Sequence, residues 1–140
     1  MCYMGLFTRK AKVIIDTNFL ILLGEGVDIF TGIDRIMTEP YDLCIFEETQ
    51  RELRNIIDGK AKGKTKGSAK FNAKLAFILI EQKGLKKLKS SYDHVDDAIV
   101  NICKSGVYVA TIDKGLQQRV REKGARIIIL RQKTHIVFKN

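Results

Sequence analysis

Asp16, Glu52, the adjacent pair Asp96-Asp97, and Asp113 are the residues of this chain best placed for chemistry. Each stands where an apolar run hands over to a helix, or in the first turns of a helix. Asp16 follows Val13-Ile14-Ile15, and Asp113 follows Val109-Ala110-Thr111-Ile112. Glu52 sits in Thr49-Gln50-Arg51-Glu52-Leu53, and the pair opens Val95-Asp96-Asp97-Ala98-Ile99. Gathered together, such carboxylates would repel and raise one another's pKa. A hard divalent cation, Mg²⁺ or Mn²⁺, gives a reason to gather them, because it prefers oxygen ligands and retains waters or takes phosphate in the remaining positions. Bound metal makes a hydroxide from water near neutral pH and offsets charge on a phosphate under attack.

Taken singly, each acid has an ordinary explanation. Asp16 and Asp113 are of a favoured helix-capping type, a role worth roughly 1 kcal/mol. One of Asp96 and Asp97 is accounted for by the positive end of a helix dipole, but two adjacent acids ask for more. Periodicity places Asp96 beside the apolar face and Asp97 nearly opposite it, so the inward member stays open. Glu52 lies about 100° from the apolar centre of its helix and has no basic residue at position 48 or 56 to pair with. Thr17, Asn18 and Thr111 are candidates to orient the carboxylates by hydrogen bonding.

The chain holds 25 Lys+Arg against 16 Asp+Glu, a net charge of +9 over 140 residues, and such a surface suits a nucleic acid partner. Between Lys60 and Lys74, Lys60, Lys62, Lys64, Lys66 and Lys70 alternate with small residues, the composition of a cationic strap that grips a phosphate backbone without reading sequence. Lys114, next to Asp113, joins this RNA-binding set. Arg119, Arg121 and Lys123 read as a solvated helix face, and His94 and His135 as surface residues with no metal-pair spacing. Neither a Gly-rich phosphate loop followed by Lys-Ser/Thr nor a serine elbow is present. Cys2, Cys44 and Cys103 lack close-pair spacing, so neither a disulfide framework nor a zinc site is expected. Without a long apolar run, a cytoplasmic protein with no membrane association is expected.

The elements that must position these acids alternate between strand and helix. Strands are expected at Lys12 to Ile15, Asp42 to Phe46, Leu85 to Leu88, Val107 to Ala110 and Arg126 to Leu130, with Thr134 to Phe138 as a last edge strand or an arm. Helices are expected at Asn18 to Gly24, Val27 to Met37, Glu47 to Ile57, Phe71 to Lys83, Asp93 to Lys104 and Lys114 to Lys123, with Asp58 to Ser68 as a loop. This alternation predicts an α/β fold: a three-layer α/β/α sandwich around a parallel sheet of about five strands, joined by right-handed crossovers. The expected organisation is a single domain over 1–140, with its core at about 12–130. Ligands of such sheets bind off the carboxyl ends of the strands where strand order reverses, and Asp16 and Asp113 lie on that rim.

Read together, Ile15-Asp16-Thr17-Asn18-Phe19, Glu52-Leu53, Val95-Asp96-Asp97-Ala98-Ile99-Val100 and Val109-Ala110-Thr111-Ile112-Asp113-Lys114 resemble the PIN-domain family. The likeness runs from about Lys12 to Phe138. It leans towards the PIN nucleases of small-subunit ribosome assembly and their stand-alone archaeal, VapC-like relatives. The resemblance implies an endoribonuclease dependent on Mg²⁺ or Mn²⁺, with Asp16, Glu52, Asp97 (Asp96 competing) and Asp113 as the acidic cluster. It implies RNA as substrate, an antitoxin peptide or ribosome-assembly proteins as partners, and a homodimer. One departure is Gly115, where many relatives carry a further acid.

Overall fold

The computed structural model describes residues 10–60 and 67–140. Its sheet has six strands in the order β3-β2-β1-β4-β5-β6. They are β1 (Ala11–Ile15), β2 (Tyr41–Phe46), β3 (Lys86–Leu88), β4 (Val107–Ala110), β5 (Arg126–Arg131) and β6 (His135–Phe138). The first five run parallel, and β6 pairs antiparallel with β5 through Arg131↔His135. The expected parallel sheet of about five strands is present, and the tail takes the edge-strand alternative, which makes the sheet a mixed one of six. The connection between β5 and β6 puts Gln132 and Lys133 at φ 53° and 65°. Neither residue is Gly or Asn, so the left-handed turn that folds the tail back leaves little local signature.

Six α-helices flank the sheet: α1 (Thr17–Ile21), α2 (Ile29–Ile36), α3 (Glu47–Ile57), α4 (Gly67–Gln82), α5 (Val95–Ile102) and α6 (Lys114–Glu122). A 3₁₀ turn, Leu22–Glu25, extends α1. Helix α4 begins before the expected Phe71, drawing Gly67 and Ser68 out of the expected loop and taking in Ala69 and Lys70. Gly84 ends that segment at φ 62°, the left-handed stop expected of it.

Strand alternation divides the apolar residues between two layers. Val13, Ile15, Ile45, Ala110 and Ile128 pack with Phe19, Leu20, Ile33, Leu53 and Ile80 from α1 to α4. On the reverse face, Ile14, Cys44, Val109 and Ile127 pack with Val95, Ile99, Leu116 and Val120 from α5 and α6. Both faces of β1 are thus covered, which explains its nearly unbroken apolar sequence. Helices α3 and α4 lie antiparallel: the Gln50 side chain reaches Glu81, and the Arg54 guanidinium lies over the Phe77 ring at 5.4 Å. Among the described residues, no helix is long and apolar enough to cross a membrane.

The strand order reverses between β1 and β4. From there β1 leads through α1 and α2 to β2 on one side, and β4 leads through α6 to β5 on the other. The chain ends that emerge at this crevice are Asp16 and Thr111-Ile112-Asp113.

Candidate functional site

Asp16 is 3% exposed, directly beyond β1. Its Oδ1 accepts from the Thr17 backbone N–H at 2.8 Å, and its Oδ2 accepts from the Thr111 hydroxyl at 2.8 Å. Thr111 comes from the neighbouring strand end, so this bond crosses the crevice. Burial is the main force on the carboxyl and raises its pKa to about 6; the Thr111 bond opposes the rise, and the charges of Asp96 and Asp113 add to it. A plain helix cap would instead spend its side chain on the N–H two or three residues on.

Asp113 does act as a plain cap. Its Oδ1 accepts from the Leu116 N–H at 3.0 Å, and its second oxygen makes no hydrogen bond among the described residues. The loop bearing it is held from several sides. The Thr111 hydroxyl accepts from the Asp113 N–H at 3.1 Å, and Asn18 Oδ1 accepts from the Ile112 N–H at 3.2 Å. Buried Gln117 donates from Nε2 to the Thr111 carbonyl at 2.9 Å and accepts from Lys139 Nζ at 2.7 Å. Thr111 thus bonds a carboxylate directly, whereas Asn18 holds the Thr111-Ile112 segment and bonds no carboxylate itself. Gln117 lacked a sequence signal, since its partner is a backbone atom and its own burial depends on packing.

Glu52 faces Asp16 from α3. It stays open to solvent, and water screens part of its repulsion. Desolvation by the surrounding protein and then the charge of Asp16 nevertheless push its pKa up to about 7, with Asp96 contributing and His94 opposing. The Thr17 hydroxyl also offsets some of that rise, although it makes no hydrogen bond of normal geometry and is a buried polar atom without a partner. One turn before Glu52, Glu48 is buried and accepts a hydrogen bond from Ser90 Oγ. Sequence reasoning passed over Glu48, because a first-turn helix acid has nothing to distinguish it until the loop after β3 lands on it.

The two adjacent acids separate. Asp96 is raised by desolvation and by Asp113, and its own charge is felt by both Asp16 and Glu52. Asp97 turns to α6, where Arg119 donates to its Oδ1 at 2.9 Å. The order agrees with periodicity, in which Asp96 bordered the apolar face. A cleft lined by Glu52, His94, Val95, Asp96, Asp97 and Arg119 opens between these elements. Arg119 is therefore tied to Asp97 at the cleft, not left on a free helix face, and His94 stands at its mouth. Neither could be placed by spacing alone.

The expected cationic residues spread differently. Lys114 opens α6 beside Asp113 and is exposed. Lys60 and Lys70 are exposed at the end of α3 and the start of α4, around Gly59. Lys62, Lys64 and Lys66 lie outside the described residues.

This geometry has recognisable counterparts. The profile of the family described as PIN like domain matches residues 13–133. The chain belongs to the PIN-like domain family. Ribonuclease VapC4 of Methanocaldococcus jannaschii is 29% identical over 128 residues, covering 89% of this chain and 93% of that protein. The structure of the PIN domain endonuclease Utp24 superimposes with a TM-score of 0.70 at 25% identity, over 91% of this chain and 90% of that one. A domain of a functionally unknown protein from Methanocaldococcus jannaschii DSM 2661 matches with a TM-score of 0.54 at 17% identity, covering 86% and 91%, a likeness of fold alone. The acid-lined crevice of this PIN-like chain spans the matched region, from Asp16 to Asp113.

Proposed function

We propose that this PIN-like chain is a nuclease, and specifically an endoribonuclease that uses Mg²⁺ or Mn²⁺ to hydrolyse phosphodiester bonds in RNA. One observation carries the reading. Asp16, Glu52 and Asp96 come from three separate segments, yet all three are raised in pKa, each by burial first and then by neighbouring carboxylates. Evolution toward stability alone would disperse such charges or pair them.

An all-oxygen set with mutual repulsion suits a hard divalent cation. Among the described residues no three acids, histidines or cysteines converge tightly enough to enclose an ion by themselves. Open coordination by one or two carboxylates, completed by water and phosphate oxygens, is what Mg²⁺ ordinarily takes. The orphaned Thr17 hydroxyl beside Glu52 offers a further polar oxygen at the same place. Asp16, Asp96 and the unspent oxygen of Asp113 would hold the ion, which supplies an activated water and neutralises phosphate charge. Glu52, with a pKa near 7, is able to accept a proton from that water. Thr111 and Asn18 keep the Asp16 and Asp113 segments in register across the crevice.

The test is cleavage of single-stranded and hairpin RNA with Mn²⁺ by the wild type, Asp16→Asn and Asp113→Asn. Wild-type cleavage should vanish with chelator and fall at least about 1,000-fold in either variant, the scale on which loss of a catalytic group registers. Equal cleavage by all three would reject this site. RNA binding without any cleavage would leave an RNA-binding scaffold instead. The likeness to the endonuclease Utp24 supports a nuclease, and the resemblance of the motifs to the PIN nucleases of small-subunit ribosome assembly favours a role in rRNA processing, with ribosome-assembly proteins as partners. The likeness to Ribonuclease VapC4 supports a ribonuclease, and the VapC-like motif resemblance favours a second reading, a toxin silenced by an antitoxin peptide. Growth arrest on induction of wild type but not Asp16→Asn, in a host whose rRNA processing is intact, separates the two.

A further inference from the structure

The reverse face of the sheet, covered by only α5 and α6 among the described helices, leaves a groove beside α5 of about 600 Å³. Its floor is apolar: Phe46 and Val107 from the strands, Ala98 and Ile102 from the helix. Lys12, Lys89 and Lys104 stand around it, all exposed, and no carboxylate lines it. The contrast with the cavity of about 730 Å³ at the start of β2 is informative. There Lys10, Lys83 and Lys86 are mixed with Asp34, Glu39 and Asp42. An apolar bed ringed by unopposed cations suits a ligand that is both flat and anionic.

An aromatic ring completes this arrangement. Tyr92 is 40% exposed at the groove and is pinned at both ends. Its backbone N–H donates to Ser90 Oγ at 3.2 Å, and its hydroxyl donates to Asn101 Oδ1 at 3.1 Å. Ser90 is itself anchored by its hydrogen bond to buried Glu48. A ring held in place before binding loses little freedom on contact, which favours stacking of a base.

The groove and the acid cleft are built on the same helix. Helix α5 gives Asp96 and Asp97 to the cleft and Ala98, Asn101 and Ile102 to the groove, while Tyr92 and His94 fall on opposite sides of one short loop. Eight helical residues span about 12 Å, a distance that a few linked nucleotides cover.

We propose that this groove binds one or two nucleotides of single-stranded RNA beside the cleavage point, with phosphates on Lys89 and Lys104 and a base against Tyr92. The proposal rests on the nuclease reading for the identity of its ligand, and its test does not require cleavage. Binding of a fluorescein-labelled eight-nucleotide RNA to the full chain is followed by anisotropy in EDTA. The Lys89→Glu/Lys104→Glu double variant should bind at least about 10-fold more weakly, since each lysine is held to neutralise a phosphate. Tyr92→Ala should lose about 5-fold, and Tyr92→Phe, which keeps the stacking ring but loses the bond to Asn101, should fall between Tyr92→Ala and wild type. Lys83→Glu/Lys133→Glu makes the same charge change away from the groove, Lys83 lying over the Phe30 ring on the opposite layer, and should cost no more than about 2-fold at 0.15 M salt, where screening removes distant contributions. All these positions are exposed, so circular dichroism should show unchanged folds.

Equal weakening in both double variants would reduce the effect to net charge and overturn the proposal. Wild-type affinity in Tyr92→Ala would do the same. Displacement of the RNA by an equally charged polyglutamate peptide as readily as by unlabelled RNA would assign the groove to an acidic protein partner. Groove variants that lose RNA in EDTA, beside a wild type that never cleaves with Mn²⁺, would uphold the groove and reject the nuclease. Cleavage by wild type with unaltered binding in the groove variants would do the reverse.

Discussion

Acids lie at both ends of the sheet, and the two ends treat them in opposite ways. At the start of β2, Asp42 accepts from Lys86 Nζ at 2.8 Å, lies 3.8 Å from Lys10 Nζ, and has its pKa lowered chiefly by the Lys86 hydrogen bond. At the crevice between β1 and β4, burial raises both Asp16 and Asp96. The charges of Asp96 and Asp113 add to the rise at Asp16, and that of Asp113 to the rise at Asp96. Among the described residues, Arg119 is the one guanidinium lining the cleft beside them. The chain has lysine to spare, so the shortage at the crevice is not compositional. A protein with net charge +9 that withholds lysines from its most crowded carboxylates leaves room for a cation of another kind. The Asp42 pair, by contrast, is a partly exposed surface bridge of the sort that contributes little.

The contrast breaks most sharply if the two ends respond alike to mutation. Asp16→Asn should abolish RNA cleavage, as set out above, whereas Asp42→Asn should leave the cleavage rate unchanged and move Tm by no more than about 2 °C. A large activity loss in Asp42→Asn would erase the distinction.

The next effect concerns the bond that crosses the crevice. Thr111→Val keeps the side-chain shape but removes the hydroxyl that donates to Asp16 and accepts from the Asp113 N–H. Activity should fall about 10- to 100-fold, the range seen when a group that orients metal-binding residues is lost. Thr111→Ser should recover most of it. Rates measured over a series of Mn²⁺ concentrations would show whether the loss is in metal affinity.

A third effect lies in the pH dependence of stability without metal. Asp16 titrates from 3.8 when unfolded to about 6 when folded, and Glu52 from 4.5 to about 7. Between those values the folded chain holds more protons than the unfolded one, so stability falls as pH rises. The Asp16 share amounts to roughly 3 kcal/mol, lost between about pH 4 and 6, and Glu52 carries the decline towards pH 7. Urea unfolding in EDTA at stepped pH should show this slope, and Asp16→Asn should flatten its lower half. Asp42 has the opposite sign, because its lowered pKa favours stability as pH rises through the acid range. A wild-type curve that rises steadily from pH 4 to 7 would contradict the description of the crevice.

The smallest effect separates the two neighbours on α5. Arg119→Ala frees Asp97 from its 2.9 Å bond and takes from Asp96 only a more distant charge that lowers its pKa. Cleavage should change by no more than about 3-fold, in keeping with a partly exposed ion pair, while Asp96→Asn should resemble Asp16→Asn. Equal and severe losses in Asp97→Asn and Asp96→Asn would make both members essential.

Much of this was legible in the chain because the relevant physics is local. The runs Val13-Ile14-Ile15 and Val107-Tyr108-Val109-Ala110 announce buried strands, Glu47–Ile57 shows its helical period, and Gly84 marks a helix stop. Asp16 and Asp113 follow their strands directly, so strand–helix alternation is enough to bring both to one rim. The tail reads equally as an edge strand or an arm, and its antiparallel pairing was not legible, because Gln132 and Lys133 adopt positive φ against their own preference once Ile136 and Phe138 find the core. The groove beside α5 was hidden for a different reason. Lys12, Lys89, Tyr92 and Lys104 are separated along the chain, and nothing in their spacing says that they meet around one apolar floor.

By itself, then, the order of residues determined the kinds of element, their succession and the carboxylates available at the ends of β1 and β4. Backbone conformation, side-chain period and helix termination depend on neighbours a few residues apart, and such information is carried in the chain. Only the tertiary structure decided that Asp96 faces Asp16 while Asp97 faces Arg119. It alone joined buried Gln117 to Thr111 and set Glu48 under Ser90. Burial and like-charge repulsion act through space between groups from separate segments, so the pKa shifts that mark this crevice exist only once the sheet has brought those segments together.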